Sequence, residues 1–211
     1  TVFLTAMYGL ENLAKLRKGE TVLIHAAAGG VGQAAIQIAK RSGAHIFATA
    51  SQSKQSFVLS QGVDAVFDSR SLEFSNQILA MTNGQGVDVV LNSLKGEWVD
   101  ASFRSLKQGG RFVELGKIDI WSANDVQKHR PDVRYLPFDL LEISTIKPKE
   151  VQNLLTSLIK DINQGTLQSL PIESWKGSQC TDAFRHMAQA RHKGKVVISQ
   201  PKRKAPVSIH P

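Results

Sequence analysis

Short apolar runs alternate along the chain with longer stretches of helical spacing. The runs are TVLIHA (21–26), HIFATA (45–50), DAVFD (64–68), GVDVVLNSL (86–94), RFVELG (111–116) and VRYLPFDL (133–140). TVLIHA is a continuous apolar run fit for a buried strand, and the others read as strands too, with Pro137 placing the last of them late or at an edge. Between them Val31, Ala34, Ala35, Ile38 and Ala39 recur at helical spacing, and Gly43 stands where a C-cap belongs. KQSFVLSQG closed by Gly62, EFSNQILAMT, and EWVDASFRSLKQGG with its glycine stop read as further helices. FLTAMYGLENLAKL predicts an entry helix at 3–16, and the spacing predicts another over 151–162. Regular strand–helix alternation predicts an α/β fold, a doubly wound parallel sheet of about six strands. LPIESW, a helix in SQCTDAFRHMAQARH and a strand KVVIS do not continue the rhythm, which predicts a separate C-terminal segment. The expected boundaries are 1–165 for the sheet domain, 166–200 for that segment and 201–211 for a basic linker.

The first strand runs into HAAAGGVGQ, where Ala27, Gly29 and Gly32 fall on the small positions of a G-x-G-x-x-G fingerprint, with Gly30 and Val31 between them. After a strand and at the opening of a helix, such a loop lets backbone N–H groups approach a pyrophosphate. A dinucleotide cofactor is the expectation, against a tight turn without a ligand. An NAD site places an acid at the end of the second strand to hold the ribose 2′-hydroxyl. That position lies in ATASQSK, which has no acid and offers Ser51 and Lys54. A hydroxyl and an ammonium suit a 2′-phosphate, so the expected cofactor is NADPH. Lys54 read otherwise is a solvated charge at a helix start. Arg70, after the third strand on the same sheet edge, is either a second phosphate contact or an exposed loop arginine.

Composition adds limits. The chain has 211 residues and no apolar run long enough to span a membrane. It lacks an initiator Met and a signal peptide, which predicts a piece of a longer cytoplasmic chain. The single cysteine, Cys180, forms no internal disulfide and leaves no cysteine-rich zinc site; with no activating partner in view it reads as a small helix residue. The net charge is +8, but Lys202, Arg203 and Lys204 of the tail carry three of those charges. The other basic residues are scattered without interleaved aromatics, so no nucleic-acid partner is expected.

The motifs HAAAGGVGQAAIQIAK, ATASQSK, GVDVVLNSL, GRFVELGKIDI and AFRHMAQARHKGKVV together are similar to the enoyl reductase domain of modular polyketide synthases, within the medium-chain dehydrogenase/reductase superfamily. The resemblance covers about residues 1–199. It implies a Rossmann domain whose N-terminal substrate lobe lies outside this chain, with the C-terminal segment returning to that lobe. It implies NADPH-dependent hydride transfer to the β-carbon of an enoyl thioester on an acyl carrier protein, without zinc, beside other domains of the synthase. It places acid–base chemistry at Lys117 and Asp139. It places the nicotinamide half near Thr5, Asn92, Ser93, Leu94, Leu115 and Gly116. Read from the residues alone, Lys117 either faces the crevice beyond Gly116 or is a solvated loop lysine paired to Asp119, and Asn92 is a site residue or a turn-former at a strand end. Other readings stay open: a quinone reductase of the same superfamily, a reductive cyclopropane-forming variant, and a non-catalytic NADPH-binding module.

Overall fold

In a computed structural model, residues 1–116 and 120–200 are described. Contacts divide the chain between Ser169 and Leu170.

The first unit begins with α1 (Val2–Met7), which widens into a π-type turn over Tyr8–Leu13. Then follow β1 (Thr21–Ile24), α2 (Gly30–Arg41), β2 (His45–Ala50), α3 (Gln52–Ser60), β3 (Ala65–Asp68), α4 (Phe74–Met81) and β4 (Val87–Asn92). The unit continues with α5 (Glu97–Arg104), β5 (Leu106–Glu114), α6 (Ala123–His129), β6 (Arg134–Pro137), α7 (Leu140–Ile146) and α8 (Pro148–Asn163). The six strands form one sheet in the order β3-β2-β1-β4-β5-β6, and every pair is parallel. The order reverses between β1 and β4, where a doubly wound sheet opens its ligand crevice.

Burial explains the continuous apolar runs. Val22, Leu23 and Ile24 of β1 and Val87, Val89 and Val90 of β4 have no exposed surface. Helix α2 buries Ala34, Ala35, Ile38 and Ala39 and ends in a turn where Gly43 takes φ +70°, a left-handed conformation that favours glycine. Phe103 of α5 stacks on Phe112 of β5 at 4.2 Å between ring centroids, in a core shared with Phe74 and Ile78 of α4 and Val126 of α6.

Three stretches differ from the pattern read off the chain. EWVDASFRSLKQGG stops being helical at Arg104, because the next residues are captured by the sheet. Val87 donates its N–H to the Ser105 carbonyl at 2.8 Å, and Leu106 pairs with Val87. The register then jumps to Val89 opposite Arg111, so 107–110 bulge out of the ladder. The Arg130 guanidinium holds this corner by donating to the carbonyls of Phe103 and Lys107. The strand expected over 133–140 is only Arg134–Pro137, because Asp139 caps α7 by accepting the Leu141 N–H at 2.8 Å. Helix α8 starts earlier than the expected Val151, with Pro148 in its first turn, where a missing N–H is harmless.

The second unit holds β7 (Ile172–Lys176), α9 (Cys180–Ala188) and β8 (Lys195–Ser199). The two strands pair in parallel as a small sheet of their own. Cys180 lies in α9, as expected for a helix residue. The 201–211 tail, read as a linker, lies outside the described residues.

Candidate functional site

The loop after β1 is stitched to both neighbouring strands. His25 donates its N–H to the Leu91 carbonyl of β4 at 3.2 Å, and Ala27 donates to the Thr49 carbonyl of β2 at 3.0 Å. Gly29 turns back to the Ala26 carbonyl at 2.9 Å, and the Gln33 side chain donates to the Ala28 carbonyl at 2.7 Å. Gly29 is the N-cap of α2 and has no capping side chain. The first N–H groups of a twelve-residue helix therefore face the crevice uncapped. The two glycines work differently. A Cβ on Gly29 would meet only the Ala26 oxygen, at 3.2 Å, whereas one on Gly32 would lie 2.5 Å from the Ala27 Cα. Gly32 lets helix and strand pack; Gly29 leaves room above the loop.

A cavity of about 690 Å³ opens at this switch point. Thr5, Gly29, Val31, Gly32, Ser93, Leu115 and Asp139 of the expected site residues line it. Its other walls include His25, Leu91 and Phe138, with Leu141 and Ser144 from α7. The Thr5 hydroxyl donates to the Thr1 carbonyl at 3.2 Å. The entry helix reaches the site because Gly9 packs against Val113, Leu91 and Phe138, and the Tyr8 and Phe138 rings lie 5.1 Å apart. A dinucleotide fits this setting: a glycine-built cradle at a helix start, with an apolar chamber beside it.

Ala27, Gly30, Asn92, Leu94 and Gly116 are each next in the chain to a residue that lines the cavity but do not line it themselves. Asn92 is fully buried and occupied with its own surroundings. Its Oδ1 accepts the Leu94 N–H at 3.1 Å, and its Nδ2 donates to the Leu94 carbonyl at 3.0 Å and to Glu114 Oε2 at 2.8 Å. Glu114, 3% exposed, accepts the Gly116 N–H on its other oxygen at 2.6 Å. Burial pushes its carboxyl above the ordinary range, against the pull of these donors. Burial pushes the Tyr135 phenol up to about 12, and the Glu114 charge adds to that shift.

Ser51, Lys54 and Arg70 lie away from the chamber, at the ends of β2 and β3. Ser51 follows β2 directly, and Lys54 sits in the first turn of α3. Ser69 donates to the Ala50 carbonyl at 3.0 Å, which brings exposed Arg70 to the same edge. An acid stands there too. Asp68 pairs in register with Ala50, and its Oδ1 accepts the Arg70 N–H at 3.0 Å. It was missed because it belongs to the third strand, and only pairing sets it beside the second.

His25 was also missed as a site residue. It looks like the last residue of a buried strand, yet it is a polar ring 3% exposed on the cavity floor. Its Nδ1 lies 2.9 Å from Thr49 Oγ1 and its Nε2 2.8 Å from Ser102 Oγ. Ser102 donates its own proton to the Trp98 carbonyl at 2.6 Å. Nε2 is therefore the donor and Nδ1 accepts from Thr49, a neutral ring satisfied on both sides. Burial lowers its pKa from 6.5 to about 3. Lys117 lies outside the described residues.

The family model described as "Zinc-binding dehydrogenase" matches residues 61–198. Among the described residues no three His, Cys, Asp or Glu side chains come together in a metal-binding group, so the metal in that description has no donor set there. No described helix is long and apolar enough to cross a membrane. The phenolphthiocerol synthesis polyketide synthase Pks15/1 of Mycobacterium marinum is 47% identical over 202 residues, covering 95% of this chain and 10% of that protein. The chain thus spans about a tenth of that relative's length. The crystal structure of CurK enoyl reductase is similar with TM-score 0.91 and 53% identity, covering 95% of this chain and 60% of that one. The nucleotide-binding subdomain of the enoyl reductase domain of PpsC from Mycobacterium tuberculosis has TM-score 0.71 and 39% identity. That match covers 79% of this chain and 95% of that one. The chain thus belongs to the zinc-binding dehydrogenase family, in the branch formed by the enoyl reductase domains of polyketide synthases, a family that works with a nicotinamide cofactor.

Proposed function

We propose that this chain is the cofactor-binding part of an NADPH-dependent enoyl reductase that acts on an enoyl thioester carried by an acyl carrier protein. The observation that carries the proposal is the chamber at the β1/β4 switch point, walled by the glycine loop on one side and the β4 and β5 ends on the other. NADPH, when bound, supplies a hydride to the β-carbon of the substrate. The chain's own groups do the rest. The start of α2 holds the pyrophosphate on its backbone N–H groups. Ser51, Lys54 and Arg70 hold the 2′-phosphate at the β2 edge, close enough to Asp68 that the phosphate must outweigh that carboxylate's repulsion. Ser93, Leu94, Leu115 and Gly116 bound the nicotinamide half, with Thr5 opposite.

Hydride arrival leaves negative charge on the thioester oxygen and α-carbon, which needs a proton. Lys117, directly after Gly116 in the chain, donates it, and Asp139 at the cavity wall orients the lysine. The second unit, from Leu170, belongs with the substrate lobe outside this chain, and the natural partners are the other domains of the parent synthase.

The test has two steps. NADPH added to the chain should raise nicotinamide fluorescence with a saturable profile. The same chain joined to its substrate lobe should oxidise NADPH with a crotonyl thioester and not with a quinone. Absence of binding rejects the cofactor site; quinone turnover without thioester turnover rejects the substrate.

A further inference from the structure

The ends of β4 and β5 are held together by one buried carboxylate. Asn92 is committed by its neighbour: the Leu94 N–H fixes Oδ1 as acceptor, so Nδ2 must point at Glu114. From the other side, the Gly116 N–H points at the second Glu114 oxygen. The Leu115 N–H adds a bond across the strands to the Asn92 carbonyl at 2.9 Å. The residue at 114 therefore meets a donor at each oxygen, and a carboxyl accepts on both, which a side-chain amide does not. Among the described residues no cation pairs with it. Burying a carboxylate without a counter-ion is unfavourable, so packing alone does not account for its presence. What it holds is specific. Ser93 and Leu115, one on each loop, both line the chamber.

We propose that Glu114 is a positioning residue for the nicotinamide half of the cofactor: its carboxylate, bridging Asn92 and the Gly116 N–H, locks the two strand-end loops at the separation that half requires. The inference rests on the cofactor reading above. Glutamine at 114 has nearly the same shape, yet its amide would set N–H against N–H at one of the two contacts. The loops would then part locally while the adenosine edge, at β2 and β3, stays as it is.

The test compares two probes on the chain: NADPH, and 2′,5′-ADP, which lacks the nicotinamide half. Glu114→Gln should weaken NADPH about tenfold and leave 2′,5′-ADP within about twofold. Simple destabilisation of the fold would weaken both ligands alike. Gly116→Ala is a second probe if Glu114→Gln does not fold. Its Cβ would stand 2.7 Å from Glu114 Oε1 and displace the carboxylate, and it should give the same split between the ligands. Unchanged NADPH affinity in a folded Glu114→Gln, or in Gly116→Ala, overturns the inference, as does equal weakening of both ligands. If the unmutated chain binds neither ligand, the cofactor reading itself fails.

Discussion

A Cβ on Gly32 would stand 2.5 Å from the Ala27 Cα and 2.6 Å from the Ala26 carbonyl oxygen. No real side chain tolerates that approach, and both neighbouring atoms are backbone. Gly32→Ala should therefore force α2 away from β1, lowering the melting temperature and abolishing cofactor binding. Gly29→Ala should keep the fold, since its Cβ meets one oxygen at 3.2 Å, and should weaken the dinucleotide by intruding on the pyrophosphate. Thermal melts and NADPH titrations on the two variants check the contrast. Equal melting temperatures for the two would refute it.

The proposed 2′-phosphate site at the β2 edge makes a prediction about cofactor choice. Lys54→Ala should cost NADPH about 1–3 kcal/mol, the range of one charge-assisted contact, and leave NADH unchanged. Removing the acid should act in the opposite direction: Asp68→Asn should tighten NADPH by relieving repulsion of the phosphate. Parallel titrations with both cofactors decide, and equal affinity for NADPH and NADH in the unmutated chain counts against the phosphate site.

His25 predicts an acid limb in stability. The unfolded residue takes up a proton near pH 6.5, whereas the folded one resists to about 3. Below 6.5 the unfolded state binds more protons, so stability falls as pH drops, by up to about 1.4 kcal/mol per pH unit from this group. Glu114 acts with the opposite sign, because its folded carboxyl holds a proton more tightly than the unfolded one. Denaturant titrations across the window should show a shallower acid slope in His25→Asn than in the unmutated chain. An unchanged slope would mean that the imidazole takes up its proton without unfolding.

Asp139 has a structural duty that separates from its proposed catalytic one. Its carboxylate caps α7 through the Leu141 N–H, and loss of such a cap costs about 0.5–2 kcal/mol. Asp139→Ala should show that loss in a melt. Asp139→Asn keeps an acceptor oxygen and should melt near the unmutated protein. In the chain joined to its substrate lobe, Asp139→Asn should still turn over more slowly, because an amide orients an ammonium less well. Wild-type turnover in Asp139→Asn would leave the residue as a helix cap alone.

The order of strands and helices through β5 was legible along the chain, because strands buried on both faces read as continuous apolar runs and α2 carries its stripe at helical spacing. The glycine loop was legible because Gly29 and Gly32 are spaced by backbone geometry, which is local. What the sequence could not show follows from pairing between distant segments. SLKQ has no local reason to leave a helix at Arg104; β4 supplies that reason through the Val87 N–H. Asp68 is unremarkable beside Ser69 and Arg70 until β3 sets it against Ala50. Glu114 reads as one more residue of an apolar strand end until β4 brings Asn92 to its carboxylate, 22 positions away in the chain. Local spacing determined the elements and the cradle. The sheet alone decided which buried polar groups meet, because a hydrogen bond between strands depends on register, and register is fixed only when the whole core closes.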